Sequence, residues 1–251
     1  MNQPMMQPPG FGQQAMPAPG IPTPGGMPGP PGAGSAVPPG QPRMTLQGSK
    51  MAVVAMQAGQ DVYARTGSMV AYEGFIQYQP NPPALAQRIR ERVTGEGVPL
   101  MLCQGDGLLY LADYGADVLL LQLNNEKLSI NGTNVLALDT QLSFEIEKVK
   151  GLAKISGQGL FNVAIAGTGW VAVTTRGTPV VLNCGEEETA VDPDALVAWT
   201  TDLKIKPRRS VRASALIGRG SGEAFQLGFK GQGFVVVQPS EDSSDRFRIR
   251  G

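Results

Sequence analysis

Three stretches of this chain carry residue types that could do chemistry. Gly218-Arg219-Gly220-Ser221-Gly222 has the glycine density of a phosphate cradle, in which backbone N–H groups close on an anion. Asp192-Pro193-Asp194, with Glu186, Glu187 and Glu188 nearby in sequence, offers the carboxylate oxygens that a hard divalent cation takes. Basic residues gather at Lys204, Lys206, Arg208, Arg209 and Arg212, again at Arg246, Arg248 and Arg250, and at Arg88, Arg90 and Arg92. Such clusters can neutralise the phosphates of RNA or of lipid headgroups.

Each stretch also has a plainer reading. The glycine run lacks a Gly-Lys-Ser/Thr ending and no helix start follows it, so it reads as a strand connection. Asp192-Pro193-Asp194 fills the slot that Asn131-Gly132-Thr133 fills one repeat earlier, and so reads as a turn. The basic clusters are not interleaved with aromatics, which disfavours nucleic-acid recognition by base stacking. They read first as a solvated charged face, with RNA or anionic-lipid binding kept as the alternative. The chain contains no histidine, which removes Ser-His and Cys-His nucleophile pairs, the usual base near neutral pH and the commonest zinc ligand. No Ser-x-x-Lys or Gly-x-Ser-x-Gly setting is present. The expectation is a protein without enzymatic activity, cofactor or metal. An enzyme built on a buried Asp-Lys or Glu-Lys pair is a distant third reading.

Residues 1–43 hold 13 of the 21 prolines and 9 of the 33 glycines, with no charge before Arg43. Such a stretch cannot bury enough apolar surface to offset its ordering entropy, so a disordered tail with local polyproline-II character is expected. The 21 basic and 21 acidic side chains cancel, so any binding to an anionic partner must be local. The amino terminus lacks a secretory pattern and no apolar run has the length of a membrane span, which predicts a cytoplasmic location. Cys103 and Cys184 are too far apart for a metal or redox motif and read as two buried thiols.

Residues 44–251 then form the folded part. Short runs rich in Val, Leu, Ile and aromatics, such as Leu108 to Leu111, Val118 to Leu123 and Phe234 to Val237, recur between Gly, Asn, Asp and Pro and predict many short strands. A Gly-x-Gly block followed by apolar residues occurs three times, at Gly105-Asp106-Gly107, Gly167-Thr168-Gly169 and Gly231-Gln232-Gly233, spaced by 62 and 64 residues. The first two copies stay in step through Val118-Leu119-Leu120 with Val180-Val181-Leu182, and Val135-Leu136-Ala137 with Leu196-Val197-Ala198. The third copy runs out at the carboxyl end. Ala58-Gly59 and Val62-Tyr63-Ala64 look like its missing half, so the two chain ends are expected to build one unit jointly. That arrangement closes on itself and sets the strands near residues 52 and 235 side by side. Asn131-Gly132 predicts a tight hairpin and Asn124-Asn125 a reversal. One helix is expected over residues 83–94, capped by Asn81, with Leu85, Ile89 and Val93 on one face and Gly95 as its stop.

Gly59-Gln60-Asp61-Val62-Tyr63-Ala64, Gly67-Ser68-Met69-Val70 and the three Gly-x-Gly strands, in this order, resemble the altered-inheritance-of-mitochondria family, number twenty-four. The resemblance implies a β fold similar to the trp RNA-binding attenuation protein, with several such units in one chain. Its mitochondrial members imply a link to inner-membrane organisation. The chain departs from the family in its expected helix, where glycine-rich loops are usual, and in its proline tail. The combined expectation is all-β: a closed pseudo-threefold repeat of antiparallel units, double-stranded β-helix or attenuation-protein-like, with one short inserted helix. The expected function is a scaffold or interaction module with a proline-rich recruiting tail and a protein partner, capable of homo-oligomerisation and peripheral membrane association. Nucleic acid is disfavoured as a partner. The expected interaction surface is Arg88, Arg90, Arg92, Lys204, Lys206, Arg208, Arg209 and Arg212.

Overall fold

The structure, a computed structural model, describes residues 42–80, 82, 99–148, 161–209 and 225–239. After an opening strand β1 (Met44–Gln47), the strands fall into three successive groups. The first holds β2 (Met51–Met56), β3 (Val62–Arg65), β4 (Met69–Pro80) and β5 (Leu100–Leu111). The second holds β6 (Asp117–Asn131), β7 (Val135–Asp139), β8 (Ser143–Lys148) and β9 (Phe161–Thr175). The third holds β10 (Val180–Cys184), β11 (Thr189–Val191), β12 (Leu196–Thr200), β13 (Lys204–Arg209), β14 (Phe225–Lys230) and β15 (Gly233–Val237). All their ladders are antiparallel. The described residues contain no α-helix, and the helix expected over 83–94 lies outside them.

The three groups share one pairing plan. In each, the last strand is sandwiched between strands from the start of the group on one edge and strands from its middle on the other. Thus β5 lies between β2 with β3 and β4, β9 between β6 and β7 with β8, and β14 with β15 between β10 with β11 and β12 with β13. A bulge recurs where the middle strands begin, between Met69 and Ala71, Val135 and Ala137, and Leu196 and Ala198. Each bulge ends on an alanine, the size that fits where an extra residue crowds the ladder.

The first two Gly-x-Gly blocks lie in β5 and β9, and the third joins β14 to β15. In β9 and in β14 with β15 the edge partner changes there, from β8 to β7 and from β13 to β12. In β5 the partner changes from β3 to β2. Gly105 and Gly107 have φ of +129° and +143°, and a Cβ on either would collide with the carbonyl oxygen of Phe75 or Glu73 on β4. The glycines therefore permit a bend and a close backbone approach.

Neighbouring groups join edge to edge at equivalent positions. β3 pairs with β7, Val62 to Ala64 opposite Asp139 to Ala137, and β6 pairs with β12, Leu128 to Ile130 opposite Thr200 to Ala198. These junctions string β1–β10, β12 and β15 into a 12-stranded sheet, with β11, β14 and β13 forming a separate three-stranded sheet. Three apolar clusters follow the same order. The first draws on groups one and two, the second centres on group two with Leu100 from group one and Val197, Ala198 and Val236 from group three, and the last is built from group three alone.

Closure, expected from the sequence, does not occur. β2 has its two edges occupied by β1 and β5, and β15 by β10 and β12, so neither has an edge left for the other. The chain ends do not share a unit: Val62, Tyr63 and Ala64 belong to a complete first group and occupy the positions of Leu128, Ser129 and Ile130. Two turn expectations are also corrected. Asn131 caps a 3-10 turn, Gly132–Asn134, with its side-chain oxygen accepting from Thr133 N at 3.1 Å, because the chain must pass from one edge of β9 to the other. Asn124 and Asn125 reverse nothing. Asn125 takes φ +58° as a bulge within β6, whose ladder with β9 continues on either side.

Gly107→Ala is expected to cost at least about 2 kcal/mol, since it adds a clash to a strained φ, whereas Gly48→Ala, at φ +62° with open space around it, should cost about 1 kcal/mol. Urea unfolding of the two variants beside the parent checks the difference.

Candidate functional site

Two charged constructions stand out among the described residues. The first is where the tail meets the core. Arg43, the first charged residue of the chain, directs its guanidinium inward. Nη1 donates to Asp139 Oδ1, and Nη2 donates to the carbonyls of Gln60 and, at 3.1 Å, Asp61. Asp139 ends the fully buried strand β7 and is 1% exposed. Its other oxygen accepts Trp170 N–H at 2.8 Å. Gly169 leaves the room for this: a Cβ there would lie 3.2 Å from Asp139 Oδ2. Burial pushes the Asp139 carboxyl up and the Arg43 guanidinium down, and the hydrogen bonds and mutual attraction oppose both shifts. Arg43 stays charged regardless. Met44 beside it is buried, so the tail's root is fixed to groups one and two together.

The second construction is a basic sheet face. Lys204, Lys206 and Arg208 alternate along β13 and therefore share one face, all three exposed. Antiparallel register puts Lys230 of β14 directly opposite Lys204, and Gly228 opposite Lys206. Glu188 reaches across the strand between them. Its carboxylate occupies the space a Cβ on Gly228 would need, and Oε1 meets Arg208 Nε at 3.3 Å. Four cations thus share a solvent-exposed face with one carboxylate, which pairs with Arg208. Arg209 lies on the same strand, but its side chain is outside the described residues, as are Arg88, Arg90, Arg92 and Arg212 entirely. The structure therefore unites three of the eight expected surface residues and adds Lys230. No local pattern marks Lys230, because its position depends on the β13–β14 register.

The remaining candidates resolve differently. Asp192 caps the 3-10 turn Pro193–Ala195, its carboxylate accepting Asp194 N–H at 2.8 Å, which accounts for the pair as turn chemistry. Burial and the neighbouring Asp192 charge push the Asp194 carboxyl up. No three metal-ligating side chains converge among the described residues. The glycine run 218–222 lies outside them. Cys103 and Cys184 are free and buried, and burial pushes the Cys103 thiol up to about 11. Gln77, Tyr78, Gln79 and Gln104 line a recess of 420 Å³ on β4 and β5. Among the described residues no helix is long and apolar enough to cross a membrane.

A family model described as mitochondrial biogenesis AIM24 matches residues 44–240. No curated protein matches the chain. Among solved structures, an X-ray structure of a Streptococcus pyogenes protein superposes with a TM-score of 0.62 at 22% identity, covering 78% of this chain and 92% of its own. At that identity the likeness is one of fold.

Arg43→Ala is expected to cost about 3 kcal/mol or more, because it strands the buried Asp139 carboxylate. Arg208→Ala should stay within about 0.5 kcal/mol, its side chain being 53% exposed. Denaturant midpoints of the two variants provide the comparison.

Proposed function

Since the chain belongs to the mitochondrial biogenesis AIM24 family, with residues 44–240 as the family domain, we propose that it is a non-enzymatic scaffold whose β core holds a proline-rich recruiting tail in place. The observation that carries this reading is the Arg43 clamp. A segment that tethers a partner must pass force into a rigid body, and Arg43 ties the end of the tail to β7, to the β2–β3 turn and, through Asp139, to Trp170. Proline-rich segments suit recruitment because their extended form loses little entropy on docking. The recurrence of one pairing plan supports the likeness to the attenuation-protein fold. On this reading the protein is cytoplasmic and touches a membrane only peripherally, as part of its organisation.

The basic face supports a second reading, binding of RNA or anionic lipid. Lys204, Lys206, Arg208 and Lys230 converge on one face, and each cation near an anionic surface contributes about 1 kcal/mol.

Affinity capture with the full chain and with a version beginning at Gln41, which keeps Arg43, tests the first reading. Partners held by the full chain and lost by the shortened one are expected; an identical set from both would move the function to the β core. For the second, Lys206→Ala with Arg208→Ala should weaken binding to anionic vesicles or RNA by roughly thirtyfold, with strong salt dependence. Binding that ignores both the substitutions and salt removes that reading.

A further inference from the structure

The shared pairing plan identifies an unfilled position. Group one gives the outer edge of β3 to β7, and group two gives the outer edge of β6 to β12. In group three the corresponding donor is β11, since Thr189, Ala190 and Val191 face β14 as Leu128, Ser129 and Ile130 face β9. The corresponding acceptor in group one is β4, where Ala71, Tyr72 and Glu73 stand where β7 has Ala137, Leu138 and Asp139. Among the described residues β11 pairs only with β14 and β4 only with β5, so one donor edge and one acceptor edge have no described partner.

Burial reports the same vacancy. Leu138 and Trp199, inside the two formed junctions, are 0% and 4% exposed, whereas Tyr72 in the equivalent place is 49% exposed. Ser129 is buried while its counterpart Ala190 is exposed. Val70, Phe75 and Tyr78 are further exposed apolar side chains of β4, at 59%, 67% and 52%. An edge strand of 12 residues normally carries charges, above all lysine, or internal proline against strand addition, and β4 has no lysine, Glu73 as its single charge and proline only at its last position.

We propose that β4 of one copy receives β11 of a second copy, in the register Ala71 opposite Val191, Tyr72 opposite Ala190 and Glu73 opposite Thr189, so that chains assemble head to tail. The new junction repeats the two already made inside the chain. It continues the 12-stranded sheet of one copy, through β4, with β11 of the next. A heterologous interface of this kind yields rings where the rotation closes and filaments where it does not. The proposal stands apart from the role of the tail, because purified protein without any partner of the tail is enough to examine it.

The full chain is followed by sedimentation velocity across a broad concentration series. Concentration-dependent assembly is expected, and Tyr72→Lys and Ala190→Lys should each reduce it to monomer and, at most, trace dimer, with unchanged circular dichroism. An equimolar mixture of the two variants is the decisive sample. Each retains one intact end, so the mixture should form dimers and nothing larger. A monomeric parent, single variants that assemble like the parent, or a mixture that stays monomeric overturns the proposal. The double variant Tyr72→Cys with Ala190→Cys gives an independent check, since directly opposed strand residues are close enough for a disulfide. Oxidation should link separate chains into a reducible ladder. A disulfide formed within one chain would show that the open edges close internally, and that result also overturns the proposal.

Discussion

A β-strand has two hydrogen-bonding edges, and the last strand of each group in this protein has both filled, by different strands, over most of its length. The positions of the other strands follow. Strands from the start of a group lie on one edge, strands from its middle on the other, and the chain must pass from one side to the other within three residues, at Gly132–Asn134 and Pro193–Ala195. Where the edge partner changes, the long strand bends, and side chains would obstruct the closely approaching backbone. Gly105 and Gly107 answer that constraint. The repeated glycines thus serve the ladder, and the chemistry a Gly-x-Gly sequence can suggest elsewhere has no place in them.

Some of the polar groups that the sheet encloses fix points where the chain changes course. Asn134, 2% exposed at the Gly132–Asn134 crossing, donates to Thr174 O at 2.6 Å, and Gln238 Oε1 accepts Arg176 N–H at 3.0 Å. Asp139 does the same for the root of the tail, accepting from Arg43 on one oxygen and Trp170 on the other. A buried pair of this kind contributes little net stability against an apolar replacement but is costly to break, so its main effect is to fix where the chain enters the core. The basic face differs in kind. Its cations are solvent-exposed and add little to the fold.

Some of this was legible in the residues. The all-β class followed from short Val, Leu and Ile runs between turn residues, and the repeat followed from the three glycine blocks, since both are local patterns. Matching Val135-Leu136-Ala137 to Leu196-Val197-Ala198 was sound, because both segments cross the same bulge. Assigning Val62-Tyr63-Ala64 to the same slot failed: apolar alternation is shared by donor and acceptor strands, and only pairing distinguishes them. Asn124-Asn125 looked like a reversal because asparagine tolerates positive φ, a property that a bulge inside a strand uses equally well.

The residues by themselves determined that the chain is β throughout its described part, that it repeats, and that a proline-rich segment precedes the repeat. These depend on side-chain periodicity and backbone preference, which act over a few neighbours. Tertiary structure alone decided that the groups run in a row without closing, that Arg43 finds Asp139 across 96 residues, and that Lys230 joins Lys204. Each of these is a choice of partner. Edge hydrogen bonds between backbones are nearly indifferent to sequence, so the choice follows from which edges remain free after every other strand has paired.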